Sequence, residues 1–190
     1  MGKQVGRQQL LDRAIGLFRA KGYSATSIDE IVKACGITKG SLYYYFKGKE
    51  DLVLAAMDQV HDYFRTNIFS LIADVENPGA KELEAFNRAI EEFFSCHPDG
   101  CMLANLCLEI GAADALFAER IHSFFNDWRA CYLAIFARKY TFSSASTLAE
   151  DALAIVHGCI LMHRINGNFA PLRRQHARLV DLLAREGAPS

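Results

Sequence analysis

The sequence predicts an all-α protein of about nine helices, on three observations. Apolar residues recur at three- and four-residue spacing along most of the chain. Glycine- and proline-containing breakers separate these stretches at helix-length intervals. No stretch alternates apolar and polar residues as a half-buried strand does. The 190 residues can bury a sizeable core, and 51% hydrophobic content fits a globular chain.

The first helix runs from about Val5 to Lys21, with Leu11, Ile15 and Phe18 inward and Gly22 as its stop. The second opens at a capping box, Ser27-x-x-Glu30, in which the hydroxyl takes an orphan amide and the carboxylate reaches back. Ile28, Ile31 and Val32 form its apolar face, and Ala34 and Cys35 are small enough for close helix approach. Gly36 can take the left-handed conformation that ends it sharply. Thr38 is a good N-cap for a short third helix that Leu42 and Phe46, four apart, anchor to the core. Lys39, Gly40, Ser41, Tyr43 and Tyr44 are left outward. Gly40 weakens a helix by about 1 kcal/mol relative to Ala, which makes sense if a backbone must approach a partner closely.

A long helix follows from near Gly48 to about Asp74, ended by the turn Asn77-Pro78-Gly79. The next spans about Lys81 to Cys96 and is broken by His97-Pro98-Asp99-Gly100. A short helix from Cys101 to about Gly111 precedes a longer one from about Asp114 to Tyr140. Thr141–Ser146 reads as a polar loop. The last two helices cover about Thr147–Ile165 and Leu172–Glu186.

Helix, glycine turn and short polar-faced helix together form a helix-turn-helix, which places its second helix in the DNA major groove. An ordinary helical hairpin can share that turn. Charge favours the first reading. Residues 1–50 hold nine basic residues (Lys3, Arg7, Arg13, Arg19, Lys21, Lys33, Lys39, Lys47, Lys49) and four acidic ones (Asp12, Asp29, Glu30, Glu50). They carry a net +5, so the whole-chain net of −1 leaves −6 on the remainder. A basic N-terminal module on an acidic body is the footprint of a phosphate-binding end.

Residues from about 10 to 52 resemble the DNA-binding domain of the TetR family of transcriptional regulators. The matching residues are Phe18, Gly22-Tyr23, Thr26-Ser27-Ile28, Ile31, Ala34, Gly36-Ile37, Lys39-Gly40-Ser41-Leu42-Tyr43, Tyr45-Phe46 and Lys49-Glu50-x-Leu52. Family members often carry His where Tyr45 stands. The resemblance implies a DNA-binding domain over 1–50 and a helical effector-sensing and dimerisation domain over 51–190. It implies that Thr38, Tyr43, Tyr44 and Lys49 touch phosphate or sugar, that Lys39, Gly40 and Ser41 lie nearest the base edges, and that Thr26 or Ser27 adds a contact. For Ser27, pure capping is an equal alternative.

Leu153, Val156, His157, Ile160, Leu161 and Arg164 form a stripe on the penultimate helix, and Leu172, Leu179, Leu182 and Leu183 form one on the last. Such stripes can be core. In the TetR family the corresponding pair meets its two-fold mate, which implies a homodimer whose two recognition helices read a palindromic double-stranded operator. The expected role is that of a repressor released by an effector.

Two effector readings stay open. One is a small-molecule pocket lined from the 13 Phe and the single Trp, with Phe64, Phe86, Phe93, Phe124 and Trp128 as its candidates, although aromatic residues at helical spacing also build cores. The other is modification of Cys101 by electrophiles or oxidants. The segment Asp99–Glu109 resembles the Gly-Cys segment of the TetR subgroup of the N-ethylmaleimide reductase repressor. A helix N-terminus lowers a thiol pKa, Asp99 opposes this, and Cys96 is a plausible resolving partner. Cys107 points about 120° away from Cys101 on a helix. The opposing reading is that the cysteines are small buried hydrophobes.

Cys96, His97 and Cys101 do not match zinc spacings, so no metal or cofactor is expected. There is no Gly-x-Ser-x-Gly, phosphate loop, dinucleotide fingerprint or Cys-His-Asp set, so the chain is not expected to be an enzyme; a thiol-dependent enzyme around Cys101 and His97 is a remote alternative. No apolar run looks long enough for a membrane, no signal region opens the chain, and the six cysteines fit reduced thiols in the cytoplasm.

Overall fold

The structure is a computed structural model that describes residues 6–110 and 114–184. The expected start of the first helix at Val5, and the expected ends at Gly111 and Glu186, lie outside the described residues. Among the described residues there are nine helices and no strand. They are α1 (Arg7–Lys21), α2 (Ile28–Cys35) and α3 (Lys39–Tyr45). A continuous α4 follows, α-helical over Lys49–Phe64, π-helical over Arg65–Phe69 and α-helical again over Ser70–Ala73. Then come α5 (Ala80–Ser95), α6 (Met102–Ile110), α7 (Ala115–Phe136), α8 (Phe142–Asn166) and α9 (Ala170–Ala184).

Three boundaries differ from the sequence reading, the first being that α7 ends at Phe136, short of the expected Tyr140. The polar stretch Thr141–Ser146 is the first turn of α8 instead of a loop, because the Thr141 hydroxyl accepts the Ser144 amide. Serine and threonine are loop formers only when no cap puts them to use. The last helix starts at Ala170 with Pro171 inside its first turn, where a missing amide costs nothing.

Residues group into two compact units, Met1–Asp62 with Cys101–His122 and Tyr63–Gly100 with Ser123–Ser190. This grouping differs from the sequence division after residue 50. In the first unit Leu10, Phe18, Ile31, Leu42, Leu52, Leu103 and Leu106 are sealed from solvent, so α6 shares a core with α1 to α3.

The second unit is organised around stacked aromatic rings. Phe64 lies 4.7 Å from Phe93, 5.0 Å from Phe124 and 5.6 Å from Trp128, centroid to centroid. Phe86 meets Tyr132 edge-on at 5.4 Å. Phe64, Phe86, Phe124 and Trp128 are completely buried and Phe93 partly so. The expectation that these five line a ligand pocket is therefore corrected: their rings fill one another's space. An open cleft of this unit, about 720 Å³, lies beside them along the π-helical segment and α7.

The expected dimer stripe is also split. Val156, Ile160 and Leu179 point into their own unit and are core, which corrects that part of the expectation. Leu153, His157, Leu182 and Leu183 are half-buried, whereas Leu161 and Arg164 are exposed. Ile155, Leu161, Met162 and Ile165 form an outward apolar row at helical spacing. With apolar residues both inward and outward, α8 is long and apolar enough to cross a membrane by length and composition, contrary to the sequence reading. Its inward half is packed against protein.

His157 stands edge-on to Phe125 and Trp128, at 4.8 and 4.7 Å. Its Nδ1–H donates to the Leu153 carbonyl, and its Nε2 is sealed without a partner. Burial pulls its pKa from the ordinary 6.5 down to about 4. Above pH 6.5 both folded and unfolded chains hold it neutral. Between 6.5 and 4 the unfolded chain alone takes the proton, so acidification removes stability at up to about 1.4 kcal/mol per pH unit. Denaturant titrations across that window are expected to show this slope in the native chain and to lose it in His157→Leu.

Candidate nucleic-acid interface

The helix-turn-helix is built by local hydrogen bonds. Ser27 Oγ accepts the Glu30 amide at 3.1 Å and starts α2. The reciprocal half of the capping box is not made: the Glu30 carboxylate pairs with Lys21 instead. Ile31 and Val32 are buried, and Gly36 closes α2 at φ 67° and ψ 33°. Thr38 Oγ1 accepts the Ser41 amide at 3.2 Å and meets the Ser41 hydroxyl at 3.0 Å. Leu42 and Phe46 hold α3 down at 0% and 2% exposure.

Apart from the half-buried Tyr45, the rest of α3 faces outward. Lys39, Gly40 and Ser41 are exposed, as are Tyr43 and Tyr44, and Tyr45 props Tyr44 edge-on at 4.9 Å. A methyl group built on Gly40 would meet only Thr38 Oγ1, at 3.7 Å, and the residue's φ is not in the left-handed range. Nothing among the described residues requires a glycine there. Lys39 Nζ rests 2.7 Å from Asp29 Oδ1, an exposed pair that raises the lysine pKa and holds the ammonium over α2.

Three expected contact residues have other duties. Thr26 is completely buried, and its hydroxyl donates to Gly22 O at 2.7 Å; it locks the α1–α2 corner, which removes it from the DNA-facing set. Ser27 is engaged as a cap. Lys49 Nζ donates to the Tyr23 carbonyl at 3.0 Å and lies 4.1 Å from the Tyr23 ring centroid, so it fastens the start of α4 to the same corner.

No local sequence pattern points to the part that α6 takes in this corner. Glu109 Oε2 accepts the Ser24 amide at 3.0 Å, and Asn105 Nδ2 donates to Arg19 O at 3.1 Å. Gly22, at φ 82°, sits so close that an added Cβ would fall 1.5 Å from a Glu109 oxygen. Glu109 lay within the segment singled out for its cysteine, and only the three-dimensional fold shows that its carboxylate is the part that works on the α1–α2 corner.

Cys101 itself is corrected. It is 5% exposed, and desolvation pushes its thiol up to about 11, outweighing the amides of Leu103 and Ala104 at the start of α6. A helix N-terminus lowers a thiol pKa only where the thiolate keeps some solvation. Cys96 is exposed, all six cysteines are free, and no group of three metal-ligating side chains is assembled among the described residues.

Gly40→Ala separates folding from binding. The alanine is expected to leave stability unchanged or raise it by up to about 1 kcal/mol, since the site is open and helical. Duplex affinity is expected to fall. Thermal unfolding and fluorescence-anisotropy titration of the same sample check both; unchanged affinity would mean that α3 does not meet a partner at this point.

Comparison with known proteins agrees with this geometry. The profile described as "Bacterial regulatory proteins, tetR family" matches residues 10–56, and that described as "Transcriptional regulator LmrA/YxaF-like, C-terminal domain" matches residues 79–178. The HTH-type transcriptional regulator LmrA of Bacillus subtilis (strain 168) is 30% identical over 183 residues, covering 94% of this chain and 97% of the relative. The HTH-type transcriptional repressor DhaR of Mycobacterium sp. (strain GP1) is 26% identical, covering 90% and 89%. The crystal structure of the regulatory protein TetR from Rhodobacter sphaeroides superposes with a TM-score of 0.80 at 25% identity, covering 93% of this chain and 98% of that one. Reduced NemR of E. coli, at 19% identity and a TM-score of 0.80 over 96% and 98% of the two chains, shares the fold. With an N-terminal helix-turn-helix, a helical C-terminal region and relatives matched over nearly their whole length, this chain belongs to the TetR family of bacterial transcriptional regulators.

Proposed function

We propose that the chain is a homodimeric repressor, acting on chromosomal DNA in the cytoplasm, that is released from a palindromic operator by a small molecule bound in its second unit. It is read as a regulator with no enzymatic activity of its own. The observation that carries the DNA half is the outward face of α3, where an internally unneeded glycine lies between Lys39 and Ser41. Lys39, Gly40 and Ser41 would read base edges, and Thr38, Tyr43 and Tyr44 would set register on phosphates.

The outward row Ile155, Leu161, Met162 and Ile165 supports the dimer, because an apolar helix face of this kind is normally covered by a partner. The cleft along the π-helical segment supports the effector half. Its volume, about 720 Å³, suits a drug-sized molecule. Its walls mix the Arg65–Asp127 ion pair, 2.8 Å long, with Thr66, Ser70, Phe69 and Ile72. Phe69 lines the cleft and also touches the Trp128 ring at 6.0 Å, so an occupant there would bear on the aromatic core. The ligand can shift the protein only by binding the released state more tightly than the bound one. The buried thiol of Cys101 gives the electrophile-switch alternative no support.

The test is titration of the protein's own upstream duplex at several salt concentrations. Specific, salt-steepened binding is expected, with Lys39→Ala weakening it by about tenfold. The double variant Leu161→Glu, Ile165→Glu is expected to sediment as a folded monomer and to lose operator binding. A variant that stays dimeric would displace the proposed interface, and equal affinity for unrelated duplex would sink the operator reading.

A further inference from the structure

Asp29 stands in the first turn of α2, where the Ser27 cap fixes the backbone. Lys39 opens α3, whose first turn the Thr38 cap fixes in the same way. From these two settled turns the side chains meet, with Lys39 Nζ 2.7 Å from Asp29 Oδ1. The pair is open to solvent: the lysine side chain is 54% exposed and the aspartate side chain 72%. An exposed ion pair of this kind adds little to stability. A carboxylate beside the DNA-facing helix also repels phosphates. Asp29 therefore works against duplex binding by plain charge, and what offsets this is its effect on Lys39.

A free lysine is a point charge on a flexible four-carbon stem, and it binds any phosphate within reach. Such contacts carry no sequence information. Held by Asp29, the ammonium loses much of that reach, and the pair as a whole presents no net charge. Its directional chemistry survives. An ammonium has three donors, so one engaged on Asp29 leaves two for neighbouring acceptors on a base edge.

We propose that Asp29 is a positioning residue for sequence selectivity: it stays paired with Lys39 on DNA, withholds the ammonium from phosphates and aims its remaining N–H groups at a base edge. The base this favours is guanine, whose O6 and N7 lie side by side in the major groove. The proposal rests on the reading of Lys39 as a base-edge residue.

Salt titrations of the full chain on its own upstream duplex and on an unrelated duplex of equal length decide it. Asp29→Ala is expected to steepen the dependence of log K on log salt by about one for each recognition helix, because the freed ammonium takes a phosphate. Affinity for the unrelated duplex is expected to rise at least about threefold without a gain on the upstream duplex, so that the ratio of the two falls by about tenfold. Glu30→Ala is the control: it removes a carboxylate from the same turn, but one whose partner, Lys21, belongs to α1. It is expected to disturb the start of α2 alike and to leave the salt slopes and the ratio native. In a Lys39→Ala background, Asp29→Ala is expected to lose its effect on the slope. Equal steepening by Asp29→Ala and Glu30→Ala would reveal a general charge effect and overturn the proposal, as would native slopes and ratio in Asp29→Ala. A native ratio in Lys39→Ala would overturn the base-edge reading itself, and the proposal with it.

Discussion

A seven-residue helix has no stability of its own in water, since the cost of its first turn exceeds what so few hydrogen bonds return. α3 therefore exists only because Leu42 and Phe46 are buried beneath it and Thr38 closes its first turn. That dependence shapes the N-terminal unit. Because two anchors and a cap do most of the holding, the exposed positions of α3 stay available to polar groups. The helix can accommodate Gly40 for the same reason: its fold is set from below, not by propensity. The corner made by Gly22, Thr26, Lys49 and Glu109 extends the same logic, fixing where the anchors sit through contacts that leave the α3 face untouched.

The second unit is held in a different way. Its core contains a set of interlocking rings set among buried aliphatic residues, and such rings fill space at preferred angles. The π-helical turn in α4 belongs to this packing, because it carries Ile68 and Phe69 into the interior while Arg65 and Thr66 remain exposed at the cleft. A π turn is less favourable than an α turn and persists where packing rewards it. The reward here is Phe69, which touches Phe64, Phe86, Phe124 and Trp128.

Much of this was legible in the sequence, and the losses have physical causes. Caps and breakers act locally, so Ser27, Gly36, Thr38 and the glycine stop after Lys21 were readable directly. Periodicity marks an apolar face but not what covers it. That is why Val156 and Ile160 read the same as Leu161, although the first two are core and the third is exposed. The same blindness made Phe64 and Trp128 equal candidates for pocket and core. Thr26 stands beside a contact motif in sequence yet turns inward, because its hydroxyl finds a carbonyl four residues back. Asp29 beside Lys39 and Glu109 beside Ser24 depend on chain folding over 10 and 85 residues, which no local pattern carries. Cys101 failed for another reason: the dipole argument was sound, but burial is a larger effect and is invisible until the fold is known.

The chain has one tryptophan, and it is sealed within the ring cluster of the second unit. Nature has thus placed a single optical label in the aromatic core of the second unit. Its emission reports the state of that core alone, undiluted by the helix-turn-helix, whose own chromophores are tyrosines and phenylalanines. Light absorbed at the red edge of the protein spectrum therefore addresses one half of the molecule selectively, and comparison with backbone dichroism, which is averaged over all nine described helices, tells whether the two halves melt together or in turn.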